Sequence, residues 1–297
     1  MYKMKSGLGD KAFIGITFIL LTAFAFICVY PFYYIFIGSI SSPGAISRGV
    51  FLLPVDITFN SYKTIFNTPG IGRSLLISVA RTLIGSTFTV FFSSFVAYIF
   101  SYKEIPLRKV LYRFFIITMY LSAGFVPYYM LIANMKLRDT FWVYVIPGAI
   151  SAYFIILAKA YIDSLPDSLR EAAEIDGAGI VRIYFVIVVP LCMPIIACLI
   201  VFSAVGQWNA WADTMYFVQK SDLYPLQYRL YKMLQNNMAD AMRASGSAST
   251  AMAAVRQITP TSLRLTMTFV TTLPILVIYP FMQRFFTKGL LLGAVKG

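Results

Sequence analysis

Six long apolar runs alternate with short polar stretches along the chain: Phe13–Ile37, Leu75–Phe100, Val110–Ile132, Phe141–Tyr161, Ile183–Val205 and Leu265–Phe286. A helix needs about 20 mostly apolar residues to cross the hydrocarbon core of a bilayer. The pattern therefore predicts an all-α polytopic membrane protein with six transmembrane helices, forming a single transmembrane domain over 1–297. The first run follows Lys3, Lys5 and Lys11, as a secretory signal would. It is too long for a signal core and no small-x-small cleavage site follows it, so it is expected to stay as an anchor. Tyr30, Phe32 and Tyr33 near its far end suit the headgroup layer, where amphipathic rings collect.

The polar stretches are not uniform. Between the fifth and sixth runs lies the long segment Gly206–Arg264, read as extracytoplasmic. In it, Leu226, Leu230, Met233, Leu234 and Met238 recur at helical spacing, and the Ser245–Thr250 stretch SGSAST then breaks the pattern. Two readings stand open: an amphipathic helix lying on the membrane or the protein's own rim, or a docking surface for an external partner.

The stretch in front of the fifth run, SLPDSLREAAEIDGAGIVRIYFVIVVPL (Ser164–Leu191), predicts a short capped helix over about 165–176. Ser164-x-x-Asp167 and Ser168-x-x-Glu171 are overlapping capping-box patterns. Pro166 is tolerable only in a first turn, which puts the start near Leu165. Gly177 suits the left-handed residue that ends a helix. At 1.5 Å per residue the element is about 16 Å long, too short and too charged to cross the bilayer. Ala172 and Ala173 would leave a low-relief face on which another protein packs closely.

Composition agrees with a lipid solvent: 59% of the residues are hydrophobic and 12% charged, at a mean hydropathy of +0.75. A soluble domain carries about 25% charged residues. The net charge of +13 comes from 25 basic residues scattered through many short segments, with no stripe that would track phosphates, so nucleic acid is not an expected partner. Basic residues near the span ends place the N- and C-termini and the Ser164 stretch in the cytoplasm of a multi-pass cell-membrane protein. With no histidine, His triads and His-ligated metals are excluded, and Cys28, Cys192 and Cys198 all lie in apolar runs. All twelve acidic residues fall outside the runs. That argues strongly against a proton-coupled carrier and less strongly against a sodium-coupled one. Arg81, early in the second run, is the one ion read as clearly intramembrane, and is expected to reach toward the outer interface. No GxxxxGK[ST] phosphate loop occurs. The chain reads as a passage whose work comes from elsewhere, the alternative being a stand-alone carrier or facilitator for a small polar solute.

The residue order narrows this. EAAEIDGAG at Glu171–Gly179, followed by IVVPL at Ile187–Leu191, resembles the EAA loop of ABC-importer permeases, with the spacing to Pro190 preserved. YPFYYIFIGSIS and LLPVDITFNSYKTIF resemble the same features of maltose-type sugar permeases. QWNAWAD at Gln207–Asp213 and the terminal YPFMQRFFTKGLLLGAVKG are similar to a branch importing oligosaccharides, including plant-wall fragments that contain uronic acids.

The resemblance implies one of two membrane subunits of a binding-protein-dependent importer, itself not an enzyme. Its implied partners are a second permease subunit, expected to be a different chain, two cytoplasmic ATPase subunits, an extracytoplasmic solute-binding protein, membrane lipid and an oligosaccharide. No cofactor is expected on this chain; ATP and Mg would bind the ATPases. The Ser164 stretch becomes the coupling helix, with Glu171, Ala172, Ala173, Asp176, Gly177, Gly179 and Pro190 as its coupling residues. Lys288, Gly289, Gly293 and Lys296 belong to a tail that, by the same resemblance, contacts the ATPases. Trp208, Asn209 and Trp211 combine stacking faces with polar edges, which suits a sugar path and equally a membrane interface.

Overall fold

The computed structural model describes residues 8–244 and 259–289, and the side chains of 9–235 and 259–280. Every regular element among the described residues is helical. The chain divides into two compact units: residues 1–68 with 233–272, and residues 69–232 with 273–297.

The first unit opens with α1 (Leu8–Ile40), whose most apolar stretch has no buried residue in the isolated chain. A helix apolar on every side belongs in lipid or against another apolar surface. The chain then turns back on itself. The Ser42 hydroxyl accepts from the Ala45 amide and caps α2 (Pro43–Arg48), with proline at the first position. The Thr58 amide donates to the Ile40 carbonyl at 2.8 Å and the Ser42 amide to Val55 at 3.1 Å. Next comes α3 (Asn60–Asn67), where the Tyr62 and Ser39 hydroxyls share a 2.7 Å hydrogen bond. The start of the last helix, Pro260–Gly289, belongs here too. Its Thr266 hydroxyl donates to the Ser39 carbonyl, and Leu265 lies so close to Gly38 that a Cβ there would stand 2.7 Å from it.

The second unit is built on α4 (Ile71–Ser101), followed by α5 (Arg108–Thr118), α6 (Phe125–Asn134), a 3-10 turn at Phe141–Tyr144, and α7 (Ala152–Ile162). Then come α8 (Asp167–Ile175), α9 (Ile180–Ile183), a π turn at Tyr184–Val188, α10 (Val189–Leu191) and α11 (Met193–Asn209). The order ends with α12 (Ala212–Phe217), α13 (Leu226–Ala244) and α14 (Pro260–Gly289), of which only the residues up to 232 and from 273 fall in this unit. α4 is flanked by α7 and α11, with Ala97, Ile155 and Leu199 fully buried at their junction. One face of α4 carries a buried small and polar stripe: Ser74, Ser78, Arg81, Gly85, Thr89 and Ser93. Such residues let backbones approach and hydrogen-bond across helices where no water is available. Here Ser78 accepts from the Leu226 amide, Thr89 donates to the Gly148 carbonyl, and Ser93 accepts from the Ser151 amide.

Three apolar runs become helices long enough to cross a membrane, within α1, α4 and α14. The other three are broken. The expected span 110–132 is split into α5 and α6 at Met119–Gly124, where Gly124 has φ +81°. The expected span 141–161 yields only a 3-10 turn and the eleven-residue α7, because Pro147-Gly148 interrupts it. The expected span 183–205 begins earlier, at Ile180, and bends by 85° at Cys192. Pro190 and Pro194 flank the bend; neither can donate a helix hydrogen bond. The Leu226-to-Met238 spacing does form a helix, α13, while SGSAST (Ser245–Thr250) lies outside the described residues.

Candidate functional site

The α8 segment differs from its expected form at the start and matches it at the end. It begins at Asp167, two residues after Leu165, with Pro166 as the N-cap and no side-chain cap. The capping boxes do not form; the Ser164 hydroxyl instead donates to the Tyr161 carbonyl and finishes the preceding turn. At the other end Gly177 has φ +76°, the Ala178 amide donates to Ala173 at 2.9 Å, and the Gly177 amide donates to Glu174 at 3.0 Å. These two bonds make a Schellman stop, which glycine adopts without strain.

The two alanines part company. Ala173 packs into the chain's own core with Tyr98, Ile183 and Tyr184, while Ala172 faces outward with Glu171 and Asp176. The low-relief face expected of the pair is thus Ala172 alone, next to Ile175, whose side chain is 87% exposed. Gly179 is the N-cap of α9 at φ −72°, a conformation open to any residue, and Pro190 sits exposed in α10.

Charge and aromatic contacts tie α8 to the turn after α4. Lys103 pairs with Asp167, holding its carboxyl below the ordinary value. Arg170 bonds Glu104 at 3.3 Å and stands 4.7 Å from the Tyr102 ring centre. A hydroxyl ladder continues along α4: Tyr98 shares a 2.7 Å bond with Tyr102 and donates to the Ile180 carbonyl, and Ser94 bonds Tyr184 at 2.7 Å. Together these contacts connect α8 and α9 to α4 and the turn that follows it.

Toward the other end of α4 is a cluster that the sequence did not reveal. Arg81 does not reach for an interface; it is 1% exposed. Its guanidinium pairs with Asp213 at 2.5 Å, bonds the Gln207 side chain and the Ala210 carbonyl, and lies 4.3 Å from the Tyr144 ring centre. Gln207 passes directly over Gly85, where a Cβ would stand 2.6 Å from its Nε2, and donates to the Tyr144 carbonyl. The signal was present in part: Arg81 was the one ion read as clearly intramembrane, and Gln207 and Asp213 bracket QWNAWAD. Six residues apart, they would not share a face of a continuous helix. The break between α11 and α12 at Ala210–Trp211 brings both to Arg81. A cavity of about 380 Å³ opens beside this cluster, lined by residues of α4, α6, α7, α11, the α11–α12 corner with Asp213, and the 143–151 segment.

Trp208, Asn209 and Trp211 do not converge. Trp208 is buried against an apolar groove that includes Leu75, Val79 and Ile278, Asn209 is exposed and bonds the Val205 carbonyl, and Trp211 stacks on Tyr231 at 4.1 Å. None of them lines the polar cavity. Lys288 and Gly289 end α14, their side chains not described, and Gly293 and Lys296 lie outside the described residues.

Known proteins share this architecture. Along its length the chain is 34% identical to the polygalacturonan/rhamnogalacturonan transport system permease protein YtcP of Bacillus subtilis (strain 168), covering 99% of this chain and 100% of that one. It is 32% identical to protein LplC of the same organism, over 91% of this chain and 90% of the other. A solved structure described as a bacterial ABC transporter involved in the import of the acidic polysaccharide alginate superposes at a TM-score of 0.85. That match has 27% identity and covers 96% of this chain and all of the other. The family model for the binding-protein-dependent transport system inner membrane component matches residues 89–291, and to that family this chain belongs.

Proposed function

We propose that this chain is one of two transmembrane subunits of an ATP-driven importer for oligosaccharides of the plant-wall type, uronate-bearing ones included. Its apolar runs would make six crossings of the cell membrane, three as single long helices and three broken, with both termini in the cytoplasm and the whole chain working as one transmembrane domain. The observation that carries the reading is the build of α8. It is a short helix with a fixed stop, an outward edge of Glu171, Ala172, Ile175 and Asp176, and an ion-paired root on the α4 turn. A short helix with a defined stop and a tethered root is suited to transmitting a push as a unit.

In this reading two cytoplasmic ATPase subunits bind ATP and Mg and close on α8. This chain and a second, different permease subunit then alternate between inward-open and outward-open states. The work is the differential affinity of ATP for the two states. Gly177 sets the exit angle of the chain, and Gly179 and Pro190 complete the coupling segment. The tail with Lys288, Gly289, Gly293 and Lys296 makes a second contact with the ATPases. An extracytoplasmic binding protein delivers the solute. The chain itself performs no hydrolysis. Supporting the substrate class are the names of its relatives, which concern polygalacturonan/rhamnogalacturonan and the acidic polysaccharide alginate.

The test is purification from native membranes in mild detergent. The expected companions are an ATP-hydrolysing subunit and a second permease. Recovery of the chain alone, with solute accumulation in vesicles driven by an ion gradient and no ATP, would refute the proposal and favour the stand-alone carrier.

A further inference from the structure

The charges of the polar cavity beside Arg81 are divided unevenly. All five donor hydrogens of the Arg81 guanidinium are engaged, by Gln207, the Ala210 carbonyl and Asp213. Asp213 is 26% exposed, and its Oδ2 keeps acceptor capacity beyond its bond to Arg81. A solute in the cavity therefore meets an anchored carboxylate, with the cation held behind it. On the same wall, the Tyr128 ring is 43% exposed and the Phe202 ring 41% exposed, while Ser203 and Gln207 add polar atoms. Hydroxyl acceptors beside an aromatic face match the two surfaces of a pyranose ring, which has hydroxyl donors on its edge and C–H groups on its faces. The volume falls in the ~300–1,000 Å³ range of small-molecule sites.

The geometry points to a pyranose subsite on the transport path: Asp213 accepts hydroxyl hydrogens from one sugar ring and Tyr128 offers that ring an aromatic face. The inference rests on the oligosaccharide reading above. It adds a charge rule. A uronate carboxylate directed at Asp213 places like charges together without a free cation between them, so an acidic unit must point its carboxylate away from this wall.

The assembled importer, with its partner subunits and binding protein, is tested in ATP-loaded proteoliposomes. The probes are tri-galacturonate and its carboxyl-reduced counterpart, galactotriose. A binding protein would set the half-saturation concentration, so a defect at this subsite should appear in the maximal rate. Tyr128→Ala, which removes a half-exposed ring, should lower the maximal uptake rate about tenfold with half-saturation unchanged, the effect of one well-placed contact. Asp213→Asn keeps the shape and removes the charge; it should shift the ratio of maximal rates toward tri-galacturonate by about tenfold. Wild-type uptake that neither substitution alters, or an Asp213→Asn ratio moved toward galactotriose, would overturn the subsite alone. Wild-type proteoliposomes that accumulate neither probe would overturn the carbohydrate reading and the subsite with it.

Discussion

Removing Asp213 leaves Arg81 with its charge inside the protein and no carboxylate beside it. Two unit charges about 4 Å apart interact by ~4 kcal/mol at an effective dielectric near 20. Deleting one partner of a buried pair typically costs ~3–5 kcal/mol, because the survivor remains desolvated. Asp213 is a quarter exposed, and Gln207 and the Ala210 carbonyl stay in place, so the loss should fall to ~2–4 kcal/mol for Asp213→Ala. Arg81→Met should cost less. Asp213 would keep the Thr214 amide, 2.7 Å away, together with its access to water. The double variant has no buried charge, and should recover at least ~2 kcal/mol relative to the sum of the single losses. Equilibrium unfolding of the purified subunit in mixed micelles reads all three. Strictly additive losses, or a more severe effect from Arg81→Met than from Asp213→Ala, would show that the pair does not hold α4 to the α11–α12 corner.

Other expectations follow from single positions. A Cβ at Gly177 meets nothing within 4 Å, so Gly177→Val should be penalised chiefly by the positive φ, ~1–2 kcal/mol; uptake should fall while membrane insertion survives, and Gly177→Asn should retain more uptake. Gly85→Ala should displace Gln207 and cost ~1–3 kcal/mol in the same unfolding assay, whereas Gly72→Ala, with open space around it, should not. Asp139 accepts the Gln219 and Lys220 amides, which lowers its pKa in the fold. A depressed carboxylate stabilises above its unfolded value of about 3.9, and loses that contribution as pH falls through the folded value. Hydrogen exchange at those two amides should accelerate only at strongly acidic pH in the wild type and at every pH in Asp139→Ala. Deleting 289–297 should reduce the stimulation of ATP hydrolysis by loaded binding protein; unchanged stimulation would remove the tail from the coupling path.

How much was legible depended on whether a residue's role was local or distant. The stop of α8 at Gly177 could be read directly, because a left-handed glycine answers to its own backbone. The helical spacing from Leu226 to Met238 likewise survived as α13. The start of α8 was misread because Ser164 had another acceptor, the Tyr161 carbonyl, closer to its own turn. Counting apolar residues matched three helices long enough to cross a membrane, and missed the breaks in the other runs. Hydropathy does not register that Pro147-Gly148 or the Pro190–Pro194 pair removes helix hydrogen bonds. Arg81 was misplaced for a different reason. An arginine near a helix end snorkels by default, and its partners lie 126 and 132 residues away in sequence. Only the fold brings them together.

Site-directed cross-linking from α8 asks most directly whether this protein is driven from outside. Ala172 is exposed, so a cysteine there perturbs little. In the intact assembly purified from native membranes, Ala172→Cys treated with a short bifunctional reagent should join this chain to an ATP-hydrolysing subunit, and added ATP should change the yield. Adducts formed only within this chain or with lipid, at a yield indifferent to ATP, would contradict the account.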